Sequence, residues 1–153
     1  MKRRRLALLM LCLALLLSGC AAKDRPALSA RALYDQMLAK EVLPPMVAVP
    51  EETLADFYGI EADWYTEGLF MVAADSLRAD EVVLMQARDQ QARDKILAML
   101  NTRMEAKAEE AQGYSPLQHA IILKGKVVQK DLRLALLCSP DIEALDSVWQ
   151  ASD

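Results

Sequence analysis

The run Glu81–Ala111, EVVLMQARDQQARDKILAMLNTRMEAKAEEA, decides the fold. Its opening EVVLMQA is rich in β-formers and reads as a strand. From Asp89 onward the period changes. Ala92, Ile96, Met99, Leu100, Met104, Ala108 and Ala111 recur at three-to-four spacing, the stripe of a helix lying on a core. Arg93, Glu105 and Glu109 fall on the opposite, solvated face. Asp89 is placed to cap this helix and Gly113 to stop it.

A strand feeding a long amphipathic helix needs partner strands, and both flanks supply them. Upstream, Glu67–Ala73 reads as a strand joined to Glu81–Ala87 by the polar loop ADSLRAD. Downstream, Lys126–Lys130 and Leu132–Ser139 form a second hairpin with Asp131 at its turn; lacking an Asn-Gly pair, the turn type stays open. Between the hairpins, Tyr114-Ser115-Pro116 turns into a short helix, Leu117–Lys124, ended by Gly125.

The outer segments complete the pattern. Leu28–Lys40 is an amphipathic helix on Leu28, Leu33, Met37 and Leu38, with Ser29 as its cap and Pro44-Pro45 barring continuation. Val42–Val49 is extended, and Glu51–Tyr58 is a short helical turn ended by Gly59. Pro140 opens a last helix to about Gln150, packed through Ile142, Leu145 and Trp149. The order predicts an α+β domain over residues 28–153: an antiparallel sheet of about four strands in two hairpins, with the long helix and the C-terminal helix packed on one face.

The chain's start has a different character. Lys2, Arg3, Arg4 and Arg5 precede a run of twelve apolar residues, Leu6–Leu17, too short for the roughly 20 that a membrane span needs. Residues 1–19 therefore read as a secretory signal peptide. Leu17-Ser18-Gly19-Cys20 reads as a lipobox. Ser18 and Gly19 are small enough for a peptidase groove, and the Cys20 thiol is a nucleophile able to take a diacylglyceryl group. Cleavage between Gly19 and Cys20 would leave Cys20 as the acylated N-terminus, with residues 20–27 as a tether. Two fatty chains such as palmitate, at about 0.8 kcal/mol per buried methylene, anchor stably where one is marginal. The plain alternative is an ordinary signal peptide with Cys20 incidental. The expected location is extracytoplasmic, held to a bacterial cell membrane by lipid.

Removal of residues 1–19 takes four of the 18 basic residues and none of the 22 acids, moving the net charge from −4 to −8. An acidic domain of this kind is a poor partner for nucleic acid. Cys12 leaves with the leader and Cys20 lies at the cut, so Cys138 is the one cysteine in the body of the domain and no internal disulfide forms there.

Residues with chemistry are few. His119, the single histidine, has no second histidine or cysteine at ligand spacing, and a zinc site needs three or four ligands. Cys138 lies in the apolar LRLALLCS and reads as a buried, inert thiol; a Cys138–His119 dyad would also need an orienting group and an oxyanion site. No glycine-rich phosphate loop or nucleophile elbow occurs. No catalytic residue, metal site or cofactor is assigned. One segment stands out. Residues 51–67 carry six acids and no base, and five of the chain's eight aromatics fall between Phe57 and Phe70. Two readings stay open. Either Tyr58, Glu61, Asp63, Trp64 and Tyr65 form a binding surface, or the rings pack into the core and the acids face water.

The motifs in order then bring a family into view. The lipobox, LYDQMLAKEVLPPMV, FYGIEADWY, EVVLMQARD before the long helix, GYSP, and VVQKDLRLALLCSPD together resemble the bacterial lipoprotein family called domain of unknown function 4358, over about Leu33 to Trp149. That family usually has a glycine where this chain has Lys130-Asp131. The resemblance implies a compact, exported, lipid-anchored domain and supplies no activity. The resulting expectation is a non-enzymatic interaction module at the cell envelope with a protein partner. Its alternatives are a small envelope enzyme using carboxylates and a small solute-binding lipoprotein. An enzyme should show a cleft with converging polar groups and a desolvated carboxyl. A module should expose Tyr58, Trp64 or Tyr65 in a patch.

Overall fold

The computed structural model describes residues 28–152. In chain order the elements are α1 (Ala30–Leu38), β1 (Met46–Ala48), α2 (Leu54–Tyr58), β2 (Tyr65–Ala73), β3 (Glu81–Ala87), α3 (Gln90–Tyr114), α4 (Pro116–Lys124), β4 (Lys126–Lys130), β5 (Arg133–Cys138) and α5 (Ile142–Gln150). Single 3-10 turns lie at Glu51–Thr53 and Ala62–Trp64. The strands form one antiparallel sheet in the order β1-β2-β3-β5-β4.

The fold is the expected α+β class with two differences. First, the sheet has five strands. The extended segment after Pro44-Pro45 adds β1 to the edge, pairing Met46 with Ala73 and Ala48 with Met71. Three residues between prolines are too few to show alternation, so the sequence marks only their extension. Second, the helices cover both faces. Val83, Met85, Leu134 and Leu136 pack toward Leu54, Tyr58, Ile96, Leu100 and Ile122, from α2, α3 and α4. Val82, Leu84, Ala135 and Leu137 pack toward Leu33, Tyr34, Met37, Leu145 and Trp149, from α1 and α5. The long and C-terminal helices thus lie on opposite sides. The reason is visible in the strands themselves. Both β3 and β5 are nearly continuous apolar runs, which suits a strand covered twice rather than once.

Local signals act largely where they stand. Ser29 and Asp89 cap α1 and α3, each accepting a hydrogen bond from the amide three residues on. Gly59 ends α2 at φ +68°, a conformation glycine takes without Cβ strain. Asp131 holds φ +50° at the β4–β5 turn, the left-handed region that aspartate tolerates. Gly113 does not stop α3, which runs one residue further. The stop is Ser115, extended at φ −145° because Pro116 follows it. Its hydroxyl then caps α4 by accepting from the Gln118 amide. The β2–β3 loop is tied down in turn, as the Ala79 amide donates to Gln118 Oε1 at 2.8 Å.

Candidate functional site

Glu81 opens β3, the middle strand of the sheet, with Val72 of β2 and Cys138 of β5 as its register partners. Alternation along β3 sends Val83 and Met85, and with them Glu81, toward α3. A carboxylate there is fully buried, at 0 % exposure. An unpaired charge in that position would be strongly destabilising. Three side chains meet it instead. Lys107 Nζ donates to Oε2 at 2.5 Å and to the Ala79 carbonyl at 2.8 Å. Arg103 donates from Nε to Oε1 at 3.3 Å and from Nη2 to Oε2 at 3.2 Å, a two-pronged contact. The Tyr58 hydroxyl donates to Oε1 at 2.8 Å. Arg103 also lies over the Phe57 ring, 4.2 Å from its centroid.

The electrostatics follow from this geometry. Burial alone pushes the Glu81 carboxyl upward, but the charges of Lys107 and Arg103 and their hydrogen bonds prevail and hold it below the usual range. Tyr58 shifts the other way: burial, then the neighbouring Glu81 charge, raise its phenol, so it stays protonated as a donor. Glu81 is therefore a fixed anion with its lone pairs engaged. It has no proton to give, which speaks against a role as general acid.

Next to it, Asp80 is 1 % exposed. Its Oδ2 accepts from Arg78 Nε at 3.0 Å, while its Oδ1 is buried without a hydrogen-bond partner among the described residues. These charged groups line a cleft of about 240 Å³ between the β2–β3 loop and α3, walled on its apolar side by Val72, Tyr114 and Ile122. A broader groove of about 470 Å³ runs along β2 past Tyr65, Gly68 and Phe70.

The residues singled out in the sequence are dispersed by the fold. Tyr58 is 4 % exposed and bonded to Glu81, so it cannot belong to a surface. Its place at the last turn of α2, facing the sheet, decides this. Glu61 and Asp63 are exposed, and Trp64 and Tyr65 are half-buried against the α3-side core. Lys95 Nζ lies 4.9 Å from the Trp64 ring centroid, and Tyr65 meets Phe70 edge-on at 6.1 Å. His119 is half-buried on α4. Cys138 is fully buried, and burial pushes its thiol up to about 11. That holds it as a neutral thiol, the wrong state for a nucleophile. Among the described residues, no three or more His, Cys, Asp or Glu side chains are grouped to hold a metal ion. Leu17, Ser18, Gly19 and Cys20 lie outside the described residues.

The Glu81 cluster was not anticipated, yet α3 carries a trace of it. Ile96, Leu100, Arg103, Lys107 and Ala111 fall at spacings of four, three, four and four, so two cations continue a buried row. Cations on an inward stripe require an anion opposite them, and the acid at the head of β3 is the one within reach.

No curated protein and no solved structure matches this chain. A family model does match, over residues 40–139, a stretch that begins after α1 and ends before α5. On that match, the chain belongs to the family described as Domain of unknown function (DUF4358).

Proposed function

We propose that this protein is a lipid-anchored extracytoplasmic binding domain, held to the bacterial cell membrane through Cys20 and acting as an interaction module at the envelope. The observation that carries the anchor is the sequence set of four basic residues, twelve apolar residues and Leu17-Ser18-Gly19-Cys20. Two features of the domain agree with it. Among the described residues the first helix begins at Ala30, ten positions after Cys20 in the sequence. Among the described residues no helix is long and apolar enough to cross a membrane. The cleft beside Glu81 brings polar groups together as an enzyme's would, but Glu81 is held there as an ion-paired anion, which speaks against a general acid; Tyr58 is buried and Trp64 and Tyr65 are half-buried, so the binding role draws its support from the sequence set and not from a patch of rings.

The test is mass spectrometry of the native protein together with Cys20→Ala. The expected mature N-terminus is Cys20 carrying a diacylglyceryl mass, and the variant should lose fatty-acid labelling and leave the membrane fraction. An N-terminus elsewhere, or an unmodified sulfur at Cys20, overturns the anchor. Crosslinking on intact cells then reads the module's partner directly.

A further inference from the structure

We propose that the uncovered edge of β2, around Gly68, takes an extended basic segment of a partner protein as an added strand. This names the partner's chemistry for the interaction module above and rests on that role, but not on the lipid anchor.

The edge is left open by the unequal lengths of two strands. β2 runs from Tyr65 to Ala73 and pairs with β3 along nearly all of it, while β1 covers only Met71–Ala73. The Val49 amide donates to the Phe70 carbonyl at 2.9 Å, and the chain then leaves the sheet through Pro50 into the turn at Glu51–Thr53. Alternation decides which groups are left over. The Ala73 amide donates to the Asp80 carbonyl, so Ala73, Met71 and Leu69 bond toward β3, and the residues between them point away from it. Gly68 therefore turns both its N–H and its C=O outward, past the end of β1, where no bond to a described residue forms. An unpaired strand edge is a template for a further strand.

The surroundings suit a strand. The groove of about 470 Å³ follows this edge. Leu54, Tyr65 and Phe70 line it from the α3-side layer, and Leu69 and Met71 from the α1-side layer. Side chains of an added strand, alternating between the two faces, meet apolar surface on both. Gly68 adds no side chain of its own: a Cβ there would lie 2.8 Å from Phe70 Cε2 and 3.0 Å from Tyr65 Cε2. Glycine inside a strand often marks close approach of another backbone. The bulge between Tyr65 and Glu67 bends the edge and keeps the added strand short.

Charge selects a basic segment. Glu52 stands two residues before Leu54, and Glu61 and Asp63 lead into Tyr65; all three acids are exposed. The bases of the region are engaged or turned elsewhere. Arg31 is paired with Asp35 at 3.0 Å, and Lys95 lies over the Trp64 ring. Arg88 follows β3, across β2 from the open edge. An acidic segment would be repelled at this rim and a basic one drawn to it.

Three capped peptides separate backbone pairing from charge: valine alternating with lysine, valine alternating with glutamate, and the lysine peptide N-methylated at every amide, which keeps its charge and loses its donors. The full chain in a non-ionic detergent is labelled with nitrogen-15 and titrated by NMR. The lysine peptide should move the Gly68 amide signal in a saturable way and slow its hydrogen exchange. The glutamate peptide should bind at least about tenfold more weakly, and the methylated one should not bind. Glu52→Gln, Glu61→Gln and Asp63→Asn together should weaken lysine-peptide binding about tenfold with an unchanged amide spectrum elsewhere. Equal binding of the glutamate or the methylated peptide overturns the proposal, as does undiminished binding by the triple variant. Shifts confined to the acids, with Gly68 unmoved, overturn it too, since they mean adsorption of charge. Self-association that protects the Gly68 amide without peptide gives the edge to a second copy and ends the proposal. A partner captured on cells with no lysine-peptide binding removes this site and leaves the interaction module standing.

Discussion

The two faces of the sheet obey different rules. Toward α1 and α5, β3 and β5 present Val82, Leu84, Ala135 and Leu137 to an apolar layer. Polar groups there are the Tyr34 phenol, buried within the layer, and at its rim Arg133, 5.0 Å over the Trp149 ring, and Glu67, which accepts from the Ala30 amide at the start of α1. Toward α3, the same two strands combine an apolar layer with a buried carboxylate, two cations and a phenol. The first face is what hydrophobic burial alone would build. The second contains groups whose desolvation offsets much of what their pairing returns. A fold built on hydrophobic burial alone has no need of them, so the two faces differ in what holds them together.

The largest effect belongs on the plain face. Trp149 is 2 % exposed and fills the space between α5 and the sheet. Trp149→Ala should destabilise by about 3–5 kcal/mol through lost burial and the cavity left behind, read by urea denaturation. A loss below about 1 kcal/mol would mean that this face is not the scaffold described here.

Glu81→Gln comes next. It leaves Arg103 and Lys107 with no buried anion, but their side chains keep 18 % and 11 % exposure and can turn partly toward solvent. The expected loss is about 2–3 kcal/mol, under the 3–5 typical when one partner of a buried pair is removed. The pH dependence has a definite sign. The folded pKa of Glu81 lies below its unfolded value, so its contribution is complete above the unfolded carboxyl's value of about 4.3 and is lost as pH falls through the folded value. Wild type and variant should therefore differ most near neutrality and converge in acid. The sharper test replaces the set together, as Tyr58→Phe, Glu81→Leu, Arg103→Met and Lys107→Met, so that no buried hydroxyl is left without its acceptor. Removing both charge and partner should restore stability to within about 1 kcal/mol of wild type.

These two faces were unequally legible in the sequence. Whatever is set by neighbours along the chain could be read. Ser29 and Asp89 are caps, Gly59 is a stop, Asp131 sits in a turn, and EVVLMQA is a strand with the same bounds in the fold. What depends on distant partners could not. Nothing near Val42–Val49 says that Met46–Ala48 will pair with β2, because the partners Met71–Ala73 lie 23 to 27 residues later in the chain. The helices' placement on two faces did leave a trace, because the nearly continuous apolar runs of β3 and β5 call for cover on both sides, but which helix takes which face is set by distant contacts. The aromatic segment was ambiguous for the same reason. Phe57 and Tyr58 are adjacent, yet one is 46 % exposed and the other 4 %, and only the position of the sheet under α2 decides which. Glu81 was the hardest residue to read. An acid at a strand's first position ordinarily faces solvent at the sheet's end, and its burial appears only once α3 is laid across it.

The smallest effect concerns Cys138, which sits beside Glu81 in register yet should behave as part of the apolar scaffold. It is 0 % exposed, and burial is the leading cause of the rise in its pKa to about 11. The Lys107 and Arg103 charges act to lower it, and the Glu81 and Asp80 charges act to raise it. A thiol titrating that high is protonated throughout the physiological range, so an aromatic disulfide reagent at pH 8 should modify it only through opening of the fold. With labelling read peptide by peptide, the Cys138 rate should be slow in wild type and should rise in Trp149→Ala as stability falls. Cys138→Ala should cost at most about 1–2 kcal/mol, as loss of a small buried side chain does. Fast labelling of the native protein would mean that the charged face opens locally while the apolar face stays closed. A loss well above about 2 kcal/mol in Cys138→Ala would mean that the thiol supports the charged cluster beside it and not the apolar layer alone.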